Sequence, residues 1–182
     1  MKKITLIILV FVTTIAIAQE KEENYPQDIN KKTEIKINAL TLIAAKWIDV
    51  SYERLIDEES SYGIAATINT DRDESDLNYS LTPFYRRYFS GNFARGFFVE
   101  GFGMLYSARD YYYDYYDYDH YDYYSNSDNF ETGFGLGISI GGKFVSKKGF
   151  TTELVLGVGR NFSENSYDDA IGRVGISVGY RF

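Results

Sequence analysis

The sequence predicts an all-β protein in which eight antiparallel strands close into a barrel. Three observations carry this prediction. Apolar side chains alternate with polar or small ones at a period of two over many short segments, and turn residues separate these segments. The composition is rich in Tyr, Phe and Gly, with 18, 13 and 16 residues against 2 Pro and no Cys. Such enrichment in aromatic residues favours strands over helices.

The N-terminal 18 residues predict a cleaved secretory signal peptide. Lys2 and Lys3 form a positively charged start, Ile4 to Ala18 form an apolar stretch of 15 residues, and small residues precede Gln19. The stretch is too short to span a bilayer as a helix, because a helical span takes about 20 apolar residues. We therefore expect residues 1–18 to be removed.

After the signal peptide, residues 19–33 are polar and without periodicity, and we expect a flexible periplasmic leader there. Residues 34–182 form the predicted barrel domain, in which alternation is clearest at the C-terminus. One face of that segment carries the apolar residues Val174, Ile176, Val178, Tyr180 and Phe182. The other face carries Arg, Gly and Ser, so this segment reads as a half-apolar strand.

Seven further segments complete the eight strands. The pattern recurs at 150–159 and 130–144, and in weaker form near 96–107, 77–89, 61–70, 46–56 and 34–44. Each is about the length of a tilted membrane strand, which takes 9–11 residues. The 34–44 segment is the poorest match, since residues 40–45 do not alternate. In 96–107 the apolar residues Phe97, Phe98 and Val99 are consecutive, so alternation does not show which of them face outward.

The connections differ between the two predicted ends of the barrel. Short turns at one end fall near 57–60, 90–95 and 146–148, and connections at the other end near 45, 71–76, 108–129 and 163–169. The last three carry four, six and three acidic residues. Short turns on one side and longer loops on the other are typical of outer-membrane barrels. The very short connection near residue 45 is the exception.

The apolar faces are expected to point outward, toward lipid. The opposite faces are mostly Gly and Ser with a few charges, which suits an eight-stranded barrel whose interior is just wide enough to be filled by side chains. The apolar faces also end in aromatic residues that are typical of an interfacial girdle: Phe144, Phe150, Tyr180 and Phe182. The sequence therefore predicts a transmembrane barrel of the outer-membrane type. A soluble periplasmic barrel that binds a small apolar ligand is the alternative.

Short sequence motifs agree with this prediction. The terminal Val178-Gly179-Tyr180-Arg181-Phe182 resembles the C-terminal strand of outer-membrane β-barrel proteins, in which the insertion machinery reads a final aromatic residue. The segments 51–54 (SYER), 83–89 (PFYRRYF) and 98–101 (FVEG) resemble an uncharacterised family of small barrels from Bacteroidota. The resemblance covers roughly residues 34–182. It implies the fold and a location in the bacterial outer membrane, but no catalytic residues.

The most unusual segment is 111–124, which reads YYYDYYDYDHYDYY and contains the only histidine. Because tyrosine offers amphipathic contact area at low entropic cost, we expect 108–129 to be a surface-recognition loop for protein, carbohydrate or lipopolysaccharide. The side chains expected to make contacts are Tyr112, Tyr115, Tyr116, Tyr118, His120, Tyr121 and Tyr123. Asp117, Asp119 and Asp122 offer oxygen ligands for Ca²⁺, but their spacing lacks the Gly and Glu of an EF-hand loop, so no metal site is predicted. A solvated strand extension is the alternative.

Eight charged residues are predicted to face the lumen. They are Glu53, Arg86, Glu100, Glu131, Lys143, Glu153, Arg173 and Arg181. Four acids and four bases suit mutual pairing, which buried charges require. We expect a packed network rather than an ion path, because eight strands leave no open channel.

The sequence contains no constellation of catalytic side chains. His120 is the only histidine, and Ser107 or Ser125 would be its partner in a lipid-modifying enzyme, which is the alternative function. We expect a non-enzymatic protein without cofactors, with a structural, adhesive or recognition role. Its expected partners are outer-membrane lipid and lipopolysaccharide, and it is expected to be a monomer. The formal net charge of −7 indicates no nucleic-acid binding.

Overall fold

The computed structural model describes residues 30–71, 77–90, 93–109, 130–163 and 169–182. Its elements, in chain order, are β1 (Thr33–Asn38), α1 (Ala39–Ala45), β2 (Trp47–Leu55), β3 (Ser60–Asn69), β4 (Leu77–Tyr88), β5 (Gly96–Arg109), β6 (Phe130–Val145), β7 (Phe150–Asn161) and β8 (Ala170–Arg181). In this part of the chain no helix is long and apolar enough to cross a membrane.

The eight strands form one closed antiparallel barrel. Each strand pairs with the next strand in the chain, and β1 also pairs with β8. At this seam Glu34 lies opposite Arg181, and Asn38 lies opposite Ser177. Closure pairs the first strand with the last along this seam and so leaves little free sheet edge. The predicted all-β fold of eight antiparallel strands is confirmed.

Strand bounds agree with the predicted ones to within two residues from β2 to β7. The predicted first strand, 34–44, is wrong in its second half, because β1 ends at Asn38 and α1 follows directly. The segment has local reasons to be helical. Ala and Leu are strong helix formers, and the Asn38 side chain caps the helix by accepting from the Thr41 N–H at 3.4 Å. Lys46 ends the helix in the left-handed conformation, with φ 55°.

Helix α1 replaces a strand in part of the barrel wall. Because β1 ends at Asn38, residues 47–49 of β2 and 170–176 of β8 have no strand beside them on that side. The Asn38 side chain continues the ladder in their place. Its Nδ2 donates to the Val174 carbonyl at 3.1 Å, and its Oδ1 accepts from the Ile176 N–H at 3.2 Å. One amide thus joins the strand, the helix and the neighbouring β8.

The apolar face of the strands points outward. Ile138 and Leu156, in the middle of β6 and β7, are 67% and 64% exposed. On β5, Phe97 and Val99 face outward and Phe98 is fully buried. The structure therefore shows which of these consecutive apolar residues face outward. Other exposed aliphatic side chains on the exterior are Val50, Ile64, Ile68, Leu81, Leu105, Leu136, Ile140, Val158 and Val174.

Large rings fill the lumen beside glycines of the adjacent strand. A Cβ added at any of these glycines would overlap the neighbouring ring. The ring and glycine pairs are Phe84 with Gly63, Phe98 with Gly141, Phe102 with Gly137, and Tyr106 with Gly133. The expectation of an interior made mostly of Gly, Ser and charges was therefore incomplete, because the glycines of β3 and β6 create space that aromatic residues of β4 and β5 occupy.

The two ends of the barrel differ in their closure. We call the end with the β2–β3, β4–β5 and β6–β7 connections the base, and the opposite end, with α1, the mouth. Phe93 and Ala94 of the β4–β5 connection fold across the base, where Ala94 is fully buried. The guanidinium of Arg181 donates to their carbonyl oxygens at 3.2 and 2.8 Å. The base is therefore filled by protein.

The β2–β3 turn at the base is held by local hydrogen bonds. The Asp57 carboxylate accepts from the Glu59 N–H at 2.8 Å. Hydrogen bonds from the Ser60 hydroxyl and from the Glu59 N–H lower the pKa of Asp57, so its charged form suits the turn. This turn lies where the sequence predicted one.

Candidate functional site

Nine charged side chains lie together inside the lower half of the barrel and form what we call the lumen cluster. Four are glutamates and five are lysines or arginines. They are Glu34, Lys36, Glu53, Arg86, Glu100, Lys143, Glu153, Arg173 and Arg181. Alternation places each of them on the inward face of its strand.

Arg86 of β4 lies at the centre of the lumen cluster. Its guanidinium donates to Glu53 at 2.8 Å, to Glu100 at 2.6 Å and to both carboxylate oxygens of Glu153 at 2.6 and 2.8 Å. Its guanidinium carbon also lies over the rings of Phe84 and Phe98, 4.3 and 4.4 Å from their centroids. Charge-assisted hydrogen bonds of this kind are the strong ones in proteins, and the stacked rings hold the guanidinium in place.

Two lysines complete the neutralisation of these glutamates. Lys36 of β1 pairs with Glu53 and lies 2.6 Å from Glu153, and Lys143 of β6 lies 2.6 Å from Glu53. The Tyr88 hydroxyl donates to Glu53 at 2.7 Å. Burial of so many charges is tolerable only because each is paired. The arrangement crosslinks the strands and provides no unpaired acid or base at its centre for chemistry.

The structure brings together seven of the eight residues that the sequence assigned to a lumen network: Glu53, Arg86, Glu100, Lys143, Glu153, Arg173 and Arg181. The exception is Glu131. It lies inside the barrel near the mouth, one residue from the start of β6, and forms no ion pair with a described residue. Glu131 lies too far along the barrel axis to reach the lumen cluster. Alternation predicts which face a residue is on but not this axial position.

Sequence reasoning missed Glu34 and Lys36. Both are buried, with 0% and 1% of their surface exposed. The signal was present, because Ile35 is 48% exposed and alternates with them in β1. The mixed character of 34–44 concealed it, since a strand prediction that extends through a helix has no consistent phase.

Above the lumen cluster, a cavity of about 480 Å³ occupies the mouth half of the barrel. This volume lies within the usual range of small-molecule sites, about 300–1,000 Å³. Polar uncharged and apolar side chains make up most of its wall. The charged and large aromatic residues that line it are Trp47, Asp49, Tyr106, Arg109, Glu131 and Arg173.

Arg173 of β8 links the lumen cluster to the cavity. Its side chain is 14% exposed, and its ion pair among the described residues is with Glu100, at 3.3 Å through Nε. The guanidinium also lies over the Phe84 ring, 5.0 Å from its centroid. Its buried Nη1 makes no hydrogen bond within the described structure. An arginine presents five N–H donors, so the hydrogen-bonding capacity of Arg173 is largely unused.

One neighbour in the cavity wall shares this feature. The Nε1–H of Trp47, the first residue of β2, is buried and has no acceptor in the part of the chain that the structure describes. Asp49, two residues further, accepts a hydrogen bond from Asn38 at 2.9 Å and forms no ion pair with a described residue. Buried polar atoms without partners are uncommon, and each needs an explanation.

The residues proposed for the surface-recognition loop lie outside the described residues. This applies to Tyr112, Tyr115, Tyr116, Tyr118, His120, Tyr121 and Tyr123, and to the three aspartates considered for Ca²⁺. The strands that flank this segment, β5 and β6, end at the mouth, at Arg109 and Phe130. The segment is therefore attached beside the opening of the cavity.

The residues considered for catalysis are only partly described. Ser107 is buried on β5, with 4% of its surface exposed, whereas His120 and Ser125 lie outside the described residues. Across residues 30–182, apart from the stretches that the structure leaves undescribed, no group of three or more His, Cys, Asp or Glu side chains is placed to hold a metal ion.

Comparison with known proteins found no match to this chain among family models, curated proteins or solved structures.

Proposed function

We propose that this chain is a bacterial outer-membrane β-barrel with a structural, adhesive or surface-recognition role. The observation that carries the proposal is the distribution of side chains across the barrel wall. Aliphatic residues such as Ile138 and Leu156 are more than 60% exposed in mid-strand, while nine charged residues are enclosed in the lumen. A water-soluble barrel needs the opposite arrangement.

The exterior is also layered along the barrel axis. Exposed aromatic residues lie near the base, among them Phe89, Phe97, Phe150 and Tyr180, and a second group near the mouth includes Tyr79, Phe130, Phe134 and Phe162. Outward-facing charges occupy the next-to-last position of several strands, as Arg54, Arg87 and Arg160 do. Two aromatic girdles that flank an aliphatic band, with charges at its margins, fit a bilayer.

The direction of the barrel in the membrane follows from its connections. The short connections and the C-terminal residue lie at the base, which we assign to the periplasm. The mouth, with the cavity and the tyrosine-rich segment 108–129, then faces the cell exterior. Residues 1–18 would be the signal peptide that directs export. Outer-membrane lipid and lipopolysaccharide would surround a monomeric barrel.

A non-enzymatic role remains our proposal. The lumen cluster pairs its acids with its bases, and the described residues that line the cavity include no His or Cys. For a lipid-modifying enzyme centred on His120, the test is H120A: we expect lipid A acylation in cells to stay unchanged. A changed acylation pattern would favour the enzyme.

Fractionation of cells tests membrane insertion directly. We expect the protein in the outer-membrane fraction, released by detergent, with a gel migration that changes on heating because the barrel resists denaturant until boiled. N-terminal sequencing of the isolated protein should begin at Gln19. Recovery in the soluble periplasmic fraction would contradict the proposal and favour the soluble barrel.

Deletion of residues 110–126 tests the recognition role of the tyrosine-rich segment. We expect intact cells that carry the deletion to lose adhesion to, or binding of, protein or carbohydrate surfaces. Heat-modifiable migration of the variant is the control for barrel assembly. If an assembled deletion variant binds like the wild type, the segment has no recognition role.

A further inference from the structure

We propose that the cavity at the mouth binds a small zwitterion, a molecule of amino-acid or dipeptide size that carries one carboxylate and one ammonium group. The inference deepens the proposed recognition role and rests on the outward orientation of the mouth. It assigns the cavity, rather than the tyrosine-rich segment, as a site for small ligands.

Arg173 is the residue that we expect to bind the ligand carboxylate. The lumen cluster contains five bases and four acids, and Arg173 is the base with the weakest engagement, with one ion pair at 3.3 Å. The other four bases each have a carboxylate oxygen within 2.9 Å. Arg173 therefore presents an unsatisfied donor at the floor of the cavity. Its Nη1 has no hydrogen-bond partner among the described residues, so it is the donor that we assign to a ligand carboxylate.

A second unsatisfied donor points to a ligand rich in acceptors. The Trp47 Nε1–H lies in the same wall without an acceptor among the described residues. An indole N–H is a donor only, so a carboxylate oxygen of a ligand would satisfy it. A carboxylate has two oxygens and about four lone-pair sites, enough to serve both Arg173 and Trp47.

Asp49 and Glu131 are the residues that we expect to bind the ligand ammonium group. Both line the cavity, and neither forms an ion pair with a described residue. With Arg173 they give the wall charges of both signs, which matches a ligand that carries both a carboxylate and an ammonium group. The connections at the mouth are strongly acidic, with six acidic residues in 108–129 alone, and a field of that sign disfavours a net anion.

The remaining wall suits an apolar ligand body. Met104, Tyr106 and Ile171 line the cavity beside Trp47. Tyrosine and tryptophan pack against apolar groups while their polar ends remain available for hydrogen bonds. A hydrophobic amino acid therefore matches the wall better than a purely polar solute.

The chain provides its own probe, because Trp47 is its only tryptophan. We would titrate the mature protein in detergent micelles with phenylalanine and follow tryptophan fluorescence under selective excitation. Phenylpropionate, which lacks the ammonium group, and phenylethylamine, which lacks the carboxylate, share the same ring. We expect saturable binding of phenylalanine, and binding of each analogue weaker by about tenfold, because each loses one charge-assisted contact.

Variants assign the two contacts. R173Q should weaken phenylalanine binding about tenfold without weakening phenylethylamine binding. D49N should weaken phenylalanine binding about tenfold without weakening phenylpropionate binding. D49N keeps an oxygen that accepts from Asn38. The matched control is R160Q, which removes an exposed arginine from the outer face of β7, away from the cavity wall; it should bind as the wild type does.

Several outcomes would overturn the proposal. They are no fluorescence response to any of the three compounds, equal affinity for all three, or unchanged phenylalanine binding by a folded R173Q. If R173Q fails to assemble, the three-compound series on the wild type still decides. Failure of this inference can be distinguished from failure of the proposed function. Fractionation tests whether the barrel is in the outer membrane, and its result does not depend on what the cavity binds.

Discussion

Gly137 and Phe102 show how single residues set the packing of the lumen. A Cβ at Gly137 would overlap the Phe102 ring and approach the backbone of β7. We therefore expect G137A to destabilise the barrel by about 1–3 kcal/mol through overpacking. Unfolding by urea in a fixed detergent or lipid measures the change.

The matched control for this substitution is G101A. Gly101 lies on β5 and faces outward, with no atom within 4 Å of an added Cβ. We expect an effect within about 0.5 kcal/mol of zero, since surface changes away from special features are usually of that size. Equal destabilisation by the two variants would contradict the packing of rings against glycines.

Glu53 is the residue on which the lumen cluster depends most, because Arg86, Lys143 and Lys36 all pair with it. Removing its charge in E53Q leaves three buried cations with one carboxylate fewer. We expect a loss of about 3–5 kcal/mol, the usual cost of breaking a buried pair. The measurement is the free energy of unfolding at neutral pH.

The control is E59Q, which breaks a solvent-exposed ion pair instead of a buried one. Glu59 pairs with Arg87, and the two side chains are 56% and 52% exposed. Exposed pairs contribute about 0–1 kcal/mol, so E59Q should be nearly neutral. An E53Q variant as stable as E59Q would show that the cluster does not hold the barrel together.

At the scale of elements, α1 takes the place of a strand in one part of the barrel wall. Asn38 caps the helix and also bonds the free edge of β8 and the Asp49 side chain. N38A removes all of these hydrogen bonds, and we expect it to cost about 1–2 kcal/mol or more. Hydrogen exchange should locate the loss at α1 and the adjoining part of β8.

The exposed turn residue Glu58 provides the comparison for this prediction. Its side chain lies on the surface of the β2–β3 turn, and its backbone carbonyl, which E58A retains, accepts from the Ala94 N–H. E58A should leave exchange rates at α1 unchanged. If N38A also leaves them unchanged, the side chain of Asn38 does not secure the helix in the wall.

At the scale of the whole molecule, the central question is which solvent the exterior meets. Leu156 lies in the middle of β7 and is 64% exposed. In a bilayer, L156R would place a charge near the midplane at a cost of about 2–4 kcal/mol. In water the same substitution at an exposed site would be nearly neutral. Unfolding from lipid vesicles measures the difference.

T152R is the matched control on the same strand. Thr152 also faces outward, but it lies near the base, two residues from the start of β7. Arginine near the membrane interface costs about 0–1 kcal/mol, so T152R should be much milder than L156R. Two equally mild variants would contradict a membrane-embedded exterior.

Much of the molecule was open to prediction from local pattern. Alternation identified β2 to β8 and assigned Glu53, Arg86 and Glu153 to the lumen, because strand geometry sends successive side chains to opposite faces. It failed where the period changed. The non-alternating residues 40–45 form α1, and a strand prediction carried through them obscured the burial of Glu34 and Lys36.

The sequence by itself determined the barrel and its two faces, because a period of two is a property of each strand alone. Tertiary structure alone decided which inward residues meet. Strand register places Arg86 among three glutamates and leaves Glu131 near the mouth without an ion pair. Tertiary structure also decided that Arg173 and Trp47 share one cavity, because distance along the barrel axis depends on how far each strand is shifted against its neighbours, which no single strand encodes.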